Sequence, residues 1–184
     1  MSEINFYYLE EATLSNLDRI FHTADIPFIR LSKFLTSVDI REESKITRDE
    51  NIGFYKRSIG EAFLGNYWES DEIINFLKEV TGFNLKFRTS QGQIYDSGDY
   101  SLLHTEEFEK ERLVVVYDMT KNWNLDWGGY DIYTSPEKDP LICNRDEGTL
   151  MLALLKEGDY SCTRYVSFNS KSSVKLDKIV YDLK

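Results

Sequence analysis

The sequence predicts a mainly β fold, a sandwich or barrel of short strands, with helices on its N-terminal side. Three observations lead there. Twelve Tyr, eleven Phe and three Trp stand against only three Pro, a balance that favours β structure. Two stretches before residue 83 carry apolar residues at helical spacing. After Gly82 the pattern changes to short apolar runs separated by turn residues. A chain of 184 residues with 41% hydrophobic content buries a sizeable core and is most simply one domain. No repeat, low-complexity tract or Gly/Ser linker divides it.

Along the chain, "TLSNLDRIFHTA" (13–24) spaces Leu14, Leu17, Ile20 and Phe21 as one helix face, with Ser15 as a possible N-cap. His22 falls at the end of that helix, where an exposed histidine suits the C-terminal dipole. "IPFIRLSKFL" (26–35) reads as a strand followed by a turn, and "DIREESKITRDEN" (39–51) as a charged, exposed segment. "GFYKRSIGEAFLGNYW" (53–68) is ambiguous. "SDEIINFLKEVTGF" (70–83) is the clearest helix. Ser70 caps it, Asp71 and Glu72 suit its positive end, and Gly82 supplies a left-handed stop. "NLKFRT", the turn "SQGQ", "IY", the turn "DSGD" and "YSLLHT" follow. Further strands are expected at "RLVVVYDM" (112–119), "GGYDIYT" (128–134), "GTLMLALL" (148–155), "TRYVSF" (163–168) and "KLDKIVYDL" (175–183).

Charge and motifs exclude several function classes. A net charge of −10 repels nucleic acid and anionic membranes, and no basic patch exceeds Lys56-Arg57. No apolar run approaches the roughly 20 residues of a membrane helix. Residues 1–11 show no basic region followed by an apolar stretch, so a cytoplasmic location with reduced thiols at Cys143 and Cys162 is expected. There is no P-loop, no G-x-G-x-x-G and no G-x-S-x-G. Neither nucleic acid nor membrane is therefore expected as a partner. A small molecule or a protein remains, and the oligomeric state is open.

His104-Thr105-Glu106 stands out because side chains at i and i+2 of a strand share a face. An imidazole and a carboxylate there suit a divalent first-row metal such as Fe(II). The order of signals around it resembles the prolyl-hydroxylase-like branch of the Fe(II)/2-oxoglutarate-dependent dioxygenases. Phe76-Leu77-Lys78-Glu79-Val80-Thr81-Gly82 is similar to that family's "FL-x-x-x-TG". Gly98 to Glu106 is similar to its "GD-hydrophobic-x-x-x-H-x-D". Trp123-Asn124-Leu125-Asp126-Trp127-Gly128-Gly129 matches its "W-x-x-x-WGG", and Pro140 to Leu150 its "P-x-x-N-x-x-x-G-x-L". The resemblance covers roughly 69–183.

It implies a double-stranded β-helix, or jelly roll, as a single 2-oxoglutarate-oxygenase-like domain over 1–184. A helical N-terminal part would span about 1–83 and the core about 84–184. It further implies Fe(II) and 2-oxoglutarate as cofactors and hydroxylation of a protein side chain or small molecule. The implied metal ligands are His104 and Glu106, with Glu where the family has Asp. The distal histidine of the family's "S-x-H-x-V" falls on Arg164, which leaves the third ligand missing and Cys162 as its candidate. Lys175 is the implied partner of the 2-oxoglutarate carboxylate, with Tyr95 and Tyr117 as pocket-lining residues. The alternative is a catalytically inactive jelly-roll descendant that acts as a ligand-binding or protein-interaction module. In that case Arg164 would pair with Glu106 in place of the metal.

Overall fold

A computed structural model describes residues 3–23, 26–38, 46–105, 110–136 and 138–184. Strand β1 (Glu3–Ile4) leads into helix α1 (Glu11–Thr23), and β2 (Phe28–Leu31), β3 (Leu35–Ser37), β4 (Ile46–Ile52) and β5 (Tyr55–Gly60) follow. Helix α2 (Asp71–Thr81) precedes the long strand β6 (Leu85–Tyr95). Then come β7 (Tyr100–Ser101), β8 (His104–Thr105), β9 (Arg112–Asp118), β10 (Asp131–Thr134) and β11 (Leu141–Cys143). The chain finishes with β12 (Thr149–Leu155), β13 (Tyr160–Thr163) and β14 (Val174–Leu183).

Two antiparallel sheets face each other. The larger runs β2-β12-β9-β14-β6-β5-β4, with β7 added against β5. The smaller runs β11-β10-β13-β8. Strands distant in sequence lie side by side in both sheets, as in a jelly roll, so the expected fold class is the observed one. The part before residue 83 is not purely helical, because β2, β4 and β5 widen the larger sheet.

Two apolar layers hold this together. One lies between the sheets and includes Val114, Val116, Met151, Ala153, Val174 and Leu176. The other lies between the larger sheet and the helices, with Val115, Leu152 and Ile179 against Phe21, Phe76 and Leu77. Strand alternation sends successive residues of β9 and β12 to opposite layers, which is why both strands are buried at nearly every position. Each fully buried Leu, Val or Ile contributes roughly 1.5–3 kcal/mol of burial free energy.

A buried carboxylate pins the approach to α2. Asp177, on the helix side of β14, accepts hydrogen bonds from the Phe63 amide (2.7 Å), the Leu64 amide (3.0 Å) and the Trp68 indole (2.8 Å). Ser70 caps α2 through the Ile73 amide, and Gly82 closes it at φ 69°. Both features were expected. Ser15 lies inside α1 rather than at its start, because that helix begins at Glu11.

Two strand expectations are corrected. "SQGQ" is not a turn, since β6 runs unbroken through it. Gly92 is there because a Cβ would stand 2.5 Å from the Glu61 carbonyl oxygen, where the neighbouring backbone passes close to the strand. The strand expected at 163–168 lies earlier, as β13, and Val166 keeps only a single bridge to Gly128. Residues 39–45 of the charged segment lie outside the described residues, whereas β4 takes up the remainder.

Candidate functional site

Inward-facing side chains converge between the sheets near the mouth of the jelly roll. Arg57 comes from β5, Gln93 and Tyr95 from β6, and Ser101 and His104 from β7 and β8. Asp131, Ser161 and Thr163 come from β10 and β13, and Lys178 from β14. Alternation selects them: on β14, Leu176 and Lys178 face inward while Asp177 and Ile179 face the helices.

Hydrogen bonds fill much of this space. The Arg57 guanidinium donates to Glu50 at 2.8 Å and to the Tyr95 hydroxyl at 3.3 Å, and it lies 4.1 Å from the Tyr55 ring centre. The Tyr95 hydroxyl donates in turn to Gln93 Oε1 at 3.2 Å. Burial pushes the Glu50 pKa up, but hydrogen bonds and charge from Arg57 and Arg48 outweigh it and hold Glu50 below its ordinary value. The remaining cavity measures about 30 Å³. That is space for roughly two waters, about a tenth of the smallest usual ligand pocket.

Behind the cavity sits a buried ion cluster. The Arg145 side chain is fully buried and donates to Asp131 and to the Gly129 carbonyl, with Asp118 at 3.8 Å. Thr163 Oγ1 donates to the same Asp131 oxygen at 2.8 Å, and the Thr163 amide donates to Ser101 Oγ at 2.6 Å. Burial opposes the Arg145 charge, yet Asp131 and Asp118 hold its pKa above the ordinary arginine value. Burial pushes the Asp118 pKa up, and Arg145 opposes that shift. One cation thus ties the loop after β11 to β9, β10 and, through Thr163, β13.

His104 lies at the cavity, half-buried, with its ring edge-to-face on Tyr55 at 4.9 Å. Its Nδ1 lies 2.8 Å from the Leu102 carbonyl, which only accepts, so Nδ1 is the donor in that contact. Glu106 lies outside the described residues. Across the ladder, His104 is paired with Ser161, and the next inward residue is Thr163. Neither is a soft or imidazole donor. Arg164 is exposed on the outer side of β13, where it lines a surface groove, and Cys162 lines both that groove and the interior cavity. Arg164 therefore lies on the other side of β13 from His104, whereas Cys162 shares the cavity lining with that histidine. Among the described residues no three His, Cys, Asp or Glu side chains come together to hold a metal ion. A His/carboxylate/His set for Fe(II) is not what these residues supply.

The other expected residues divide. Tyr95 lines the cavity. Tyr117 points away from it, beneath the helices, 5.7 Å from the Trp68 ring, because it is out of phase with inward-facing Val116. Lys175 is exposed, one residue out of phase with Leu176, and Lys178 is the cavity lysine of β14. Counting by twos from the buried run of β14 would have found Lys178. Arg57 lay in the ambiguous stretch 53–68, and nothing in the sequence marked Asp131 or Arg145 as a pair.

The strand order can be set beside solved structures. A prolyl hydroxylase from Trichoplax adhaerens, in complex with a hypoxia inducible factor oxygen degradation domain peptide fragment, superposes with a TM-score of 0.70 at 14% identity, over 97% of this chain and 93% of that one. A Pseudomonas putida prolyl-4-hydroxylase gives 0.66 at 14% identity, over 91% of this chain and 97% of that one. A 2OG-Fe(II) oxygenase family oxidoreductase from Burkholderia pseudomallei gives 0.66 at 11% identity, covering 94% and 92%. The fold is that of the 2OG-Fe(II) oxygenases. No family model and no curated protein matches the chain in sequence. What the oxygenase fold shares with these structures is architecture, and the side chains in the cavity have to be read on their own terms.

Proposed function

We propose that this chain is an oxygenase-fold protein that acts as a binding module and no longer performs three-ligand iron chemistry. The observation that carries this is the pairing of His104 with Ser161 on β13, at the inward position where an imidazole would have to stand. Two further features support it. The cavity of about 30 Å³ leaves little room for 2-oxoglutarate, and the Arg57–Tyr95–Gln93 chain crosses the space a co-substrate would need. Arg57 and Lys178 are the cations a carboxylate would meet there. The ligand of such a module is a small molecule or a protein segment.

One feature favours an active oxygenase. His104 Nδ1 donates to the Leu102 carbonyl, an outer hydrogen bond of the kind that orients metal-binding histidines. Calorimetric titration of the metal-free protein with Fe(II) or Mn(II), with and without 2-oxoglutarate, separates the two. The binding-module reading expects no 2-oxoglutarate-dependent metal binding and no release of succinate. Micromolar metal binding that disappears in His104→Ala would establish the oxygenase instead.

A further inference from the structure

We propose that the outer face of the smaller sheet binds an apolar monocarboxylate, a molecule with a hydrocarbon or aromatic body and a single negative charge. Arg164 lies on the opposite side of β13 from His104, and the groove shares only Ser101, Cys162 and Thr163 with the interior cavity.

The sheet register builds an apolar row there. Ile142 on β11 pairs with Ile132 on β10, and Ile132 pairs with Cys162 on β13. The next strand brings Leu103, beside His104. An exposed sheet face ordinarily carries polar residues at such positions. Here Ile142 is 56% exposed, Leu103 51%, Leu102 49% and Tyr165 41%. Apolar side chains that share a surface in this way mark a binding site more often than isolated ones do. Leu102, Leu103, Ile132, Cys162 and Tyr165 line a groove of about 570 Å³, within the roughly 300–1,000 Å³ range of small-molecule sites.

Among the described residues, Arg164 is the only charged one lining that groove. It is exposed in a chain of net charge −10, and among the described residues it makes no ion pair. A cation left unpaired over an apolar wall complements a ligand with one anion and a greasy body. The guanidinium fork matches a carboxylate in two parallel hydrogen bonds.

A small molecule fits better than an extended peptide. The main chain of β13 is already laddered to β10 on one side and β8 on the other. The β13 main chain is therefore not free to pair with the amides of a peptide, and amides pressed against the apolar wall would lose hydrogen bonds to water without replacement.

The test is calorimetric titration of the full chain, in the presence of a metal chelator, with sodium octanoate and separately with 1-octanol. Octanoate should bind at one site per chain. Arg164→Gln should weaken it roughly tenfold, the size expected of a partly exposed charge-assisted contact, with no change in melting temperature. Octanol should bind wild type about as weakly as octanoate binds Arg164→Gln. Ile132→Asn should weaken both ligands. Equal octanoate affinity for wild type and Arg164→Gln, or no binding at all, overturns the proposal. So does binding lost in Lys178→Met but kept in Arg164→Gln, which would place the carboxylate inside the jelly roll.

Discussion

Removing the Arg145 side chain tests whether the buried ion cluster is a structural joint. Arg145→Met keeps much of the volume and deletes the charge. The side chain is 0% exposed, with Asp118 at 2% and Asp131 at 8%, so bulk water does little to compensate the carboxylates. The substitution leaves two buried carboxylates without a cation and frees the Gly129 carbonyl. Breaking such a cluster from one side costs about 3–5 kcal/mol. In a chain of this size that lowers the melting temperature by roughly 6–20 °C. The loss must also depend on pH. Without Arg145 nothing opposes the burial that raises the Asp118 pKa, and that carboxyl takes up a proton more readily in the folded than in the unfolded chain. The folded state then binds more protons, and stability falls as pH rises above the ordinary carboxylate range. Urea unfolding of both proteins at pH 5 and pH 7.5 measures this, and the gap should be wider at pH 7.5. A loss below about 1 kcal/mol, or one equal at both pH values, would refute the reasoning.

Three other substitutions or modifications probe different parts of the fold. Asp177→Asn keeps the shape but sets an amide donor against one of the three donors around position 177, so it should cost about 1–3 kcal/mol in urea unfolding and alter Trp68 fluorescence; an unchanged midpoint would contradict the anchoring role. Gly128→Ala should leave little folded protein, because φ is 72° and a Cβ would lie 2.3 Å from the Tyr165 carbonyl oxygen; soluble expression with native circular dichroism would count against it. Cys143, whose thiol is pushed up to about 12 by burial and by Asp131, should resist iodoacetamide in native buffer and react only in denaturant, as read by mass spectrometry.

The fold was legible in the sequence where local chemistry and long-range order agree. The Ser70 cap and Gly82 stop announce α2, and "W-x-x-x-WGG" depends on constraints now visible in the structure. Trp123 donates to the Gly128 carbonyl at 3.1 Å, and a Cβ on Gly129 would stand 2.9 Å from the Trp123 ring. The site was less legible because motif spacing assigns positions, whereas strand phase decides which way they face. Arg164 and Lys175 match the motifs by count, yet each is one residue out of phase with the cavity. Gly92 misled for a related reason, since a glycine required by a neighbouring backbone looks the same in sequence as one required by a turn. Asp131 and Arg145 lie fourteen positions apart and meet only because β10 and β11 pair.

The alternation of β13 also gives any redesign of the cavity a definite address. A histidine grafted by motif order, Arg164→His, would put its imidazole on the outside of the sheet. Ser161→His would place it on the inner face, across the ladder from His104. The tight turn at 156–159 that feeds β13 is equally decisive. Deleting one of its residues would, if β13 slipped by one position in its pairing with β10, exchange the two faces of the strand. A change of length by one would thus do to this interior what no single substitution does, turning a serine and a threonine out and an arginine in.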